Sequence, residues 1–263
     1  MSNANDLFAA GDIVGARSAL IDQLRSNPGD VDVRMFLFQL FSLTGEWKRA
    51  KDQLEMLAKL TPEAQMLSVA YSQCIDAEKL RADIFAGEAE MPLLAKVEWG
   101  EKLTTLLSDY FKNKSGATAA LLEFQNAIPD TKGTIKDGVS FDWISDSDPR
   151  FGPSLEVIIA GKYGLLPFAA LETLTIYEPS DLRDTIWAQA EFGMRKGAKV
   201  AGFIPVRYPN SENSEDSAIV RGASTVWTEQ NGLETGLGHR LLMMSGDQEN
   251  HLLSFRQIVF EGS

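Results

Sequence analysis

Three groups of residues have types and spacings that could support chemistry. The first is Asp142-Trp143-Ile144-Ser145-Asp146-Ser147-Asp148-Pro149-Arg150. Spaced aspartates can hold a divalent cation through oxygen. The Asp-x-Asp-x-Asp-Gly loop with its distal Glu is absent, however. Asp and Ser also fix turns by bonding their own backbone, and Pro149 sets one. Turn chemistry is the favoured reading; a buried ion pair with Arg150 and a metal site are the alternatives. The second group is Asp181-Leu182-Arg183-Asp184. Carboxylates around a guanidinium can clamp a substrate. They can equally cap a helical turn and tie two strands through bidentate bonds, and the structural role is favoured. The third is the histidine pair, His239 and His251. Histidine often does general acid–base work. Here His239 stands at a turn into a strand and His251 follows the polar turn Gly246-Asp247-Gln248-Glu249-Asn250, no Ser or Cys lies in a nucleophile motif, and both are expected to be ordinary surface or edge residues.

No other motif adds chemistry. Neither a Walker loop nor Gly-x-Gly-x-x-Gly after a strand occurs, and Gly236-x-Gly238 alone is weak. Cys74 is the only cysteine, so no internal disulfide can form, and its apolar surroundings predict a packing role. No catalytic, cofactor or metal residue is assigned. The net charge of −12 repels phosphate backbones and anionic lipid, and no Lys/Arg run offsets it. Nucleic acid and membrane are therefore not expected as partners. No apolar run approaches the ~18 residues of a spanning helix. The start, Met1 to Asp6, lacks the basic flank and apolar core of a secretory signal, which points to the cytoplasm.

The elements that must position these residues divide into two kinds. Gly11, Ala16, Leu20 and Pro28 recur 34 residues on as Gly45, Ala50, Leu54 and Pro62. That is the period of the tetratricopeptide repeat, a helix–turn–helix unit. Gly permits the turn, Ala lets helices approach and Pro ends the unit. Helical periodicity predicts helices over 12–27, 30–43 and 46–60, then 61–86 with Thr61 as cap and Pro62 as first residue. After a linker at 87–92, further helices are predicted over 93–112 and from a Ser115 cap to 127. The helix at 30–43 is apolar on most sides. Phe36, Phe38 and Phe41 are its candidates for contact with a partner's amphipathic helix, against the plainer reading that they fill the interior.

After Thr131 the pattern changes to short runs of β-branched residues with Gly and Pro. Strands are predicted at 139–144, 155–160, 171–177, 199–206, 224–227, 240–244 and 252–259, with a helical turn at 181–187. The run at 209–217 has no apolar anchor and is predicted to be an exposed, mobile loop. The expected fold is α+β. An all-α tetratricopeptide-like part covers 1–130, and a β-rich part, a small barrel or bent antiparallel sheet, covers 131–263. Two copies of a repeat fall short of the three that arrays need, so the β part is expected to fill some of the groove.

Several stretches together resemble the ImpE family, also called SciE or TagJ. They are Phe141 to Pro153, Leu155-Glu156-Val157-Ile158, Gly161-Lys162-Tyr163, Leu166-Pro167-Phe168, Pro179 to Asp184 with Trp187, Ile204 to Pro209, and Gly236 to Arg240. In the first half, Asn27-Pro28, Arg34, Phe36-Leu37-Phe38, Gly45 to Ala50 and Gln53-Leu54 fit as well. Gly164 replaces a usual aromatic, and His239 a common Gln. The resemblance implies a non-enzymatic accessory protein of bacterial type VI secretion. It would bind the sheath small subunit, the ClpV-type AAA+ ATPase, or both, through protein contacts and without a cofactor. Two other readings stay open: a general assembly chaperone, and an enzyme built on Asp142, Asp146, Asp148, Arg183 and Asp184.

Overall fold

The computed structural model describes residues 2–136, 138–246 and 248–262. Met1, Asp137, Asp247 and Ser263 lie outside the described residues; of the turn expected at 246–250, Asp247 is therefore not described, and residues 248–250 are not turn but strand, paired with 242–244. Among the described residues, seven helices come first: α1 (Ser2–Ala9), α2 (Ile13–Ser26), α3 (Val31–Leu43), α4 (Trp47–Leu60), α5 (Ala64–Phe85), α6 (Gly100–Phe111) and α7 (Ala117–Asn126). Asp12 starts α2 by accepting from the Gly15 N–H at 2.7 Å, and Asp30 starts α3 by accepting from Val33 at 3.0 Å. Each side-chain cap satisfies a donor that the first helical turn leaves free. The repeat is visible as packing. Ala16, Leu20, Ala50 and Leu54 are all at 0% exposure. Gly11 and Gly45 turn the chain at φ of +87° and +68°, where a side chain would be strained.

Three helix predictions shift. α5 begins at Ala64 rather than Pro62, because the Thr61 hydroxyl bonds the Glu63 carboxylate instead of capping. Residues 93–99 are not helical. Leu94 N–H donates to Leu165 O, and Leu165 N–H to Pro92 O, each at 2.8 Å, so the start of this segment is held as a bridge against a strand of the second half. Gly164 permits that approach, since a Cβ there would sit 2.5 Å from the Pro92 oxygen. The cap of α7 is Gly116 at φ +76°, not Ser115.

The second half contains thirteen strands among its described residues. β1 (Gly133–Ile135), β2 (Ser140–Phe141), β4 (Ser154–Ile159), β5 (Lys162–Pro167), β6 (Leu171–Ile176), β7 (Trp187–Met194), β8 (Lys199–Pro205) and β13 (Gln257–Phe260) form one antiparallel sheet, ordered β2-β1-β13-β6-β7-β8-β4-β5. The bent-sheet expectation holds and the barrel does not: the sheet ends at β2 and β5 without closing. β8 meets β4 at a single pair, Ile158 with Phe203. A three-stranded sheet joins β3 (Ile144–Asp146), β11 (Leu241–Met244) and β12 (Gln248–His251), ordered β12-β11-β3. β9 (Thr225–Gln230) and β10 (Leu233–Gly238) form a separate hairpin. The expected strand at 252–259 is instead a 3-10 turn, Leu252–Ser254, followed by β13.

The run at 209–217 is not a free loop. Pro209 and Ser211 are buried, and the Ser211 hydroxyl donates to Tyr208 O at 2.6 Å while accepting from Gly238 N–H. A 3-10 turn, Ser211–Asn213, and the short helix α8 (Ser217–Val220) follow. Glu212 lies against Gly45 and Ser217 against Gly11, so this stretch rests on both repeat turns. One apolar cluster runs through the helices into the sheet: Phe38, Leu54, Tyr71 and Leu107 share it with Phe151, Ile158, Trp187 and Tyr208. A second lies within the strands around Val157, Phe168, Phe192 and Ile258.

Phe38 is fully buried and meets Tyr71 edge-on at 5.7 Å. Phe38→Ala should lower unfolding stability by about 3–5 kcal/mol through lost burial and the cavity left behind, measured by urea denaturation.

Candidate functional site

The charged residues of both halves meet beneath α5. Glu78 and Arg81 lie one helical turn apart on its buried face, and β4 presents Glu156 across from them. Arg81 donates to both Glu156 oxygens at 2.8 and 2.9 Å, to Arg207 O at 2.8 Å and to Glu78 at 3.3 Å. Arg240 approaches Glu156 from the other side, just before β11, and also pairs with Asp146 at the end of β3. Its guanidinium lies 4.4 Å from the Phe151 ring centroid and 5.0 Å from that of Tyr208. The Tyr163 hydroxyl donates to Glu156, Trp187 Nε1 donates to Glu78 at 2.8 Å, and the Tyr208 hydroxyl donates to Asp146 at 2.8 Å.

Every charged member is at least nine-tenths buried, so ionisation follows from the balance of desolvation and pairing. Burial opposes charge on Glu156, yet Arg81 and Arg240 together hold it at about 2. Burial pushes Asp146 up to about 7 against the pull of Arg240, which it shares. Burial also raises Glu78. The group has three carboxylates for two guanidiniums, so one acid is always the less satisfied.

The aspartate run divides. The Asp146 carboxylate accepts from Asp148 N–H and the Asp148 carboxylate from Arg150 N–H, both at 2.9 Å, which is the expected turn chemistry. The ion pair is present as well, and the two readings prove compatible. Arg150 grips Asp148 through Nε and Nη2 at 3.0 and 2.6 Å, and Gly236 N–H donates to the same carboxylate at 2.8 Å. Asp142 takes no part: it is exposed and pairs with Lys132 at 3.1 Å. A surface cleft of about 350 Å³, bordered by Leu122, Gln125, Trp143 and Pro153, reaches Asp146 and Ser147. Both Asp146 carboxylate oxygens are already engaged, and the residue is buried.

The second cluster sits on the 3-10 turn Leu182–Thr185 before β7. Asp181 is its N-cap, and Asp184, the third residue of the turn, reaches back as in a capping box, accepting from Ser180 and Asp181 N–H at 3.0 and 3.1 Å. Arg183 does not tie two strands. It pairs with Asp181 at 3.0 Å and reaches Met35 Sδ on α3 at 3.5 Å, while Gln39 of α3 donates to Asp181. The turn therefore docks the sheet on the repeat helices. Asp142, Asp146, Asp148, Arg183 and Asp184 do not line one pocket. Phe38 and Phe41 are at 0% and 2% exposure, and Arg49 stacks over the Phe41 ring at 4.1 Å. These two lie in the interior because α3 is enclosed by its neighbours; Phe36 is half-buried against Phe8.

His239 is not a surface residue. It is 6% exposed, with Nδ1 2.8 Å from Gly222 O and Nε2 accepting from Leu253 N–H. Desolvation lowers it to about 4. His251 is exposed and meets its ring edge-on at 4.5 Å. Sequence reasoning missed Glu78, Arg81, Glu156 and Arg240 as a set. The available signal was a charge inside an apolar strand, Leu155-Glu156-Val157-Ile158, and a charged pair on the apolar stripe of α5.

Comparison with known proteins bears on the whole chain. It is 36% identical over 262 residues to the type VI secretion system accessory component TagJ of Pseudomonas aeruginosa, covering 98% of this chain and 91% of that protein. The chain belongs to the ImpE/TagJ family. The ImpE protein family model matches residues 138–259, and a tetratricopeptide repeat model matches 7–70. The fold is shared with protein VPA1032 of Vibrio parahaemolyticus, whose crystal structure superimposes with a TM-score of 0.87 at 23% identity over 99% of this chain and 98% of that one. The ImpE-type segment supplies Asp146, Asp148, Arg150, Glu156 and Arg240, whereas Glu78 and Arg81 fall between the two matched segments. Among the described residues, no helix is long and apolar enough to cross a membrane.

Removing the Glu156 charge would leave two buried guanidiniums underpaired. Glu156→Gln should cost about 3–5 kcal/mol, read as a fall in the urea midpoint. His239 is neutral when folded down to about pH 4, whereas an unfolded histidine takes up its proton near 6.5. Its contribution is complete above pH 6.5 and is lost as pH falls toward 4. Relative to His239→Gln, the wild type should lose about 3 kcal/mol across that window, measured by urea titrations at several pH values.

Proposed function

We propose that this protein is a non-enzymatic accessory component of type VI secretion, working as a cytoplasmic adaptor. It binds the sheath small subunit, the ClpV-type ATPase, or both, through protein contacts. The observation that carries this reading is the nearly full-length relationship to TagJ, named as an accessory component of that system. The tetratricopeptide-like helices support it: the sheet covers their inner side, which leaves the outer faces of the hairpins for other proteins. The absence of catalytic work in this reading agrees with how the charged candidates are engaged. Asp146, Asp148, Arg150, Asp181 and Asp184 are bonded to one another or to neighbouring backbone. Of the three phenylalanine candidates, Phe36 is the one that reaches the surface, and the proposed contact is assigned to it.

Affinity purification of the tagged protein from cells with an active type VI system, followed by mass spectrometry, should recover the sheath small subunit or the ATPase. Recovery of neither under secretion-active conditions would overturn the adaptor reading. With a recovered partner in hand, Phe36→Glu should weaken binding roughly tenfold or more. Unchanged binding by a variant with wild-type circular dichroism would remove Phe36 from the interface.

A further inference from the structure

The hairpin β9–β10 leaves one strand edge open. Its turn is Asn231-Gly232, with φ of +51° and +80°, and Gln230 faces Leu233 across it. In a two-residue turn of this type the flanking pair is hydrogen-bonded, and bonding alternates from there. Gln230, Thr228 and Val226 thus direct their backbone groups to β10. Thr225, Trp227 and Glu229 direct theirs the other way. Among the described residues, no further strand lies on that side. The strand is six residues long and rich in β-branched and aromatic residues. It carries no Pro or Lys, two devices that keep edges from pairing. Val226 and Trp227 are 43% and 37% exposed, and the Trp227 ring rests on Tyr208 at 5.8 Å.

Charge selects the partner. Glu229 stands directly opposite Glu234. Both are exposed, and neither has an ion-pair partner among the described residues. By the alternation above this is a non-hydrogen-bonded pair, where side chains come closest, and like charges facing each other there are unfavourable. A cation on a strand laid along β9, opposite Glu229, would relieve that repulsion. A second cation two residues along would meet Trp227, whose ring attracts positive charge. The net charge of −12 adds long-range attraction for a basic segment. A second copy of this chain would bring more carboxylate to the same place.

We propose that β9 is a docking edge for an extended basic segment of a partner protein, which adds as a further strand with Lys or Arg facing Glu229 and Trp227. This site stands independently of the secretion assignment. The test uses the whole protein and two seven-residue peptides, one alternating Lys and Val, the other alternating Glu and Val. The Lys peptide should bind and slow hydrogen exchange at the Trp227 and Glu229 amides; the Glu peptide should do neither. Glu229→Pro, which blocks the outward N–H, should abolish that protection. Glu229→Gln keeps the edge and removes only charge, so it should weaken binding roughly two- to fivefold. Asp52→Asn, on the exposed face of α4, is the control for general charge and should bind as wild type. Lys-peptide binding without protection at β9, or undiminished binding by a folded Glu229→Gln variant, overturns the proposal. So does protection of the same amides by concentration-dependent dimerisation alone, which would give the edge to a second copy.

Discussion

Glu156 holds two guanidiniums at once, and they come from opposite directions. Arg81 descends from α5 and Arg240 from the segment entering β11, so one carboxylate joins helix, large sheet and small sheet. Such a network is not a large source of net stability, because removing its charges from water costs nearly as much as their pairing returns. Its consequence is register. Hydrophobic burial is non-directional, whereas a bidentate pair in a dry interior fixes both distance and angle. The hydroxyls of Tyr163 and Tyr208 and the indole of Trp187 complete the carboxylate shells, which leaves α5 one way to lie on β4 and β5.

That constraint explains why two repeats suffice. An isolated pair of hairpins would expose α3 and the inner face of α5. Here the sheet supplies the missing layer: Trp187 and Phe203 pack on Tyr71, and Trp187 also meets Trp47. The turn at 182–185 fixes the sheet to α3, and Arg207 reaches Leu43 O at 2.8 Å at the end of that helix. The concave side that longer arrays offer to ligands is thus occupied by the chain itself.

The helical half was largely legible because a 34-residue period and Asp caps are local signals. The departures came where a distant partner decided the local structure. Residues 93–99 carry helical spacing, but Leu93 and Leu94 are held against β5, and Gly164, which permits this, is informative only once Pro92 is beside it. β7 was missed because Ala188 and Ala190 blur its alternation. β5 was missed because Gly164 and Pro167 read as turn residues. The aspartate run displayed its turn bonds and its Arg150 pair at short range. Arg240, the partner of Asp146, lies 94 residues away, and no spacing rule connects them.

The contact of Tyr71 with Trp187 also orders events during synthesis. The ribosome makes Tyr71 well before its aromatic partner, with over a hundred residues still to come. At typical elongation rates that interval is on the order of ten seconds. Helix formation takes microseconds, so the repeats form while their inner face is still uncovered. Arg81 waits for Glu156 too, over the shorter interval of 75 residues, in water, where its charge is harmless. The nascent helical half is therefore the species most exposed to misassociation, and the late arrival of 154–208 converts it into an enclosed layer.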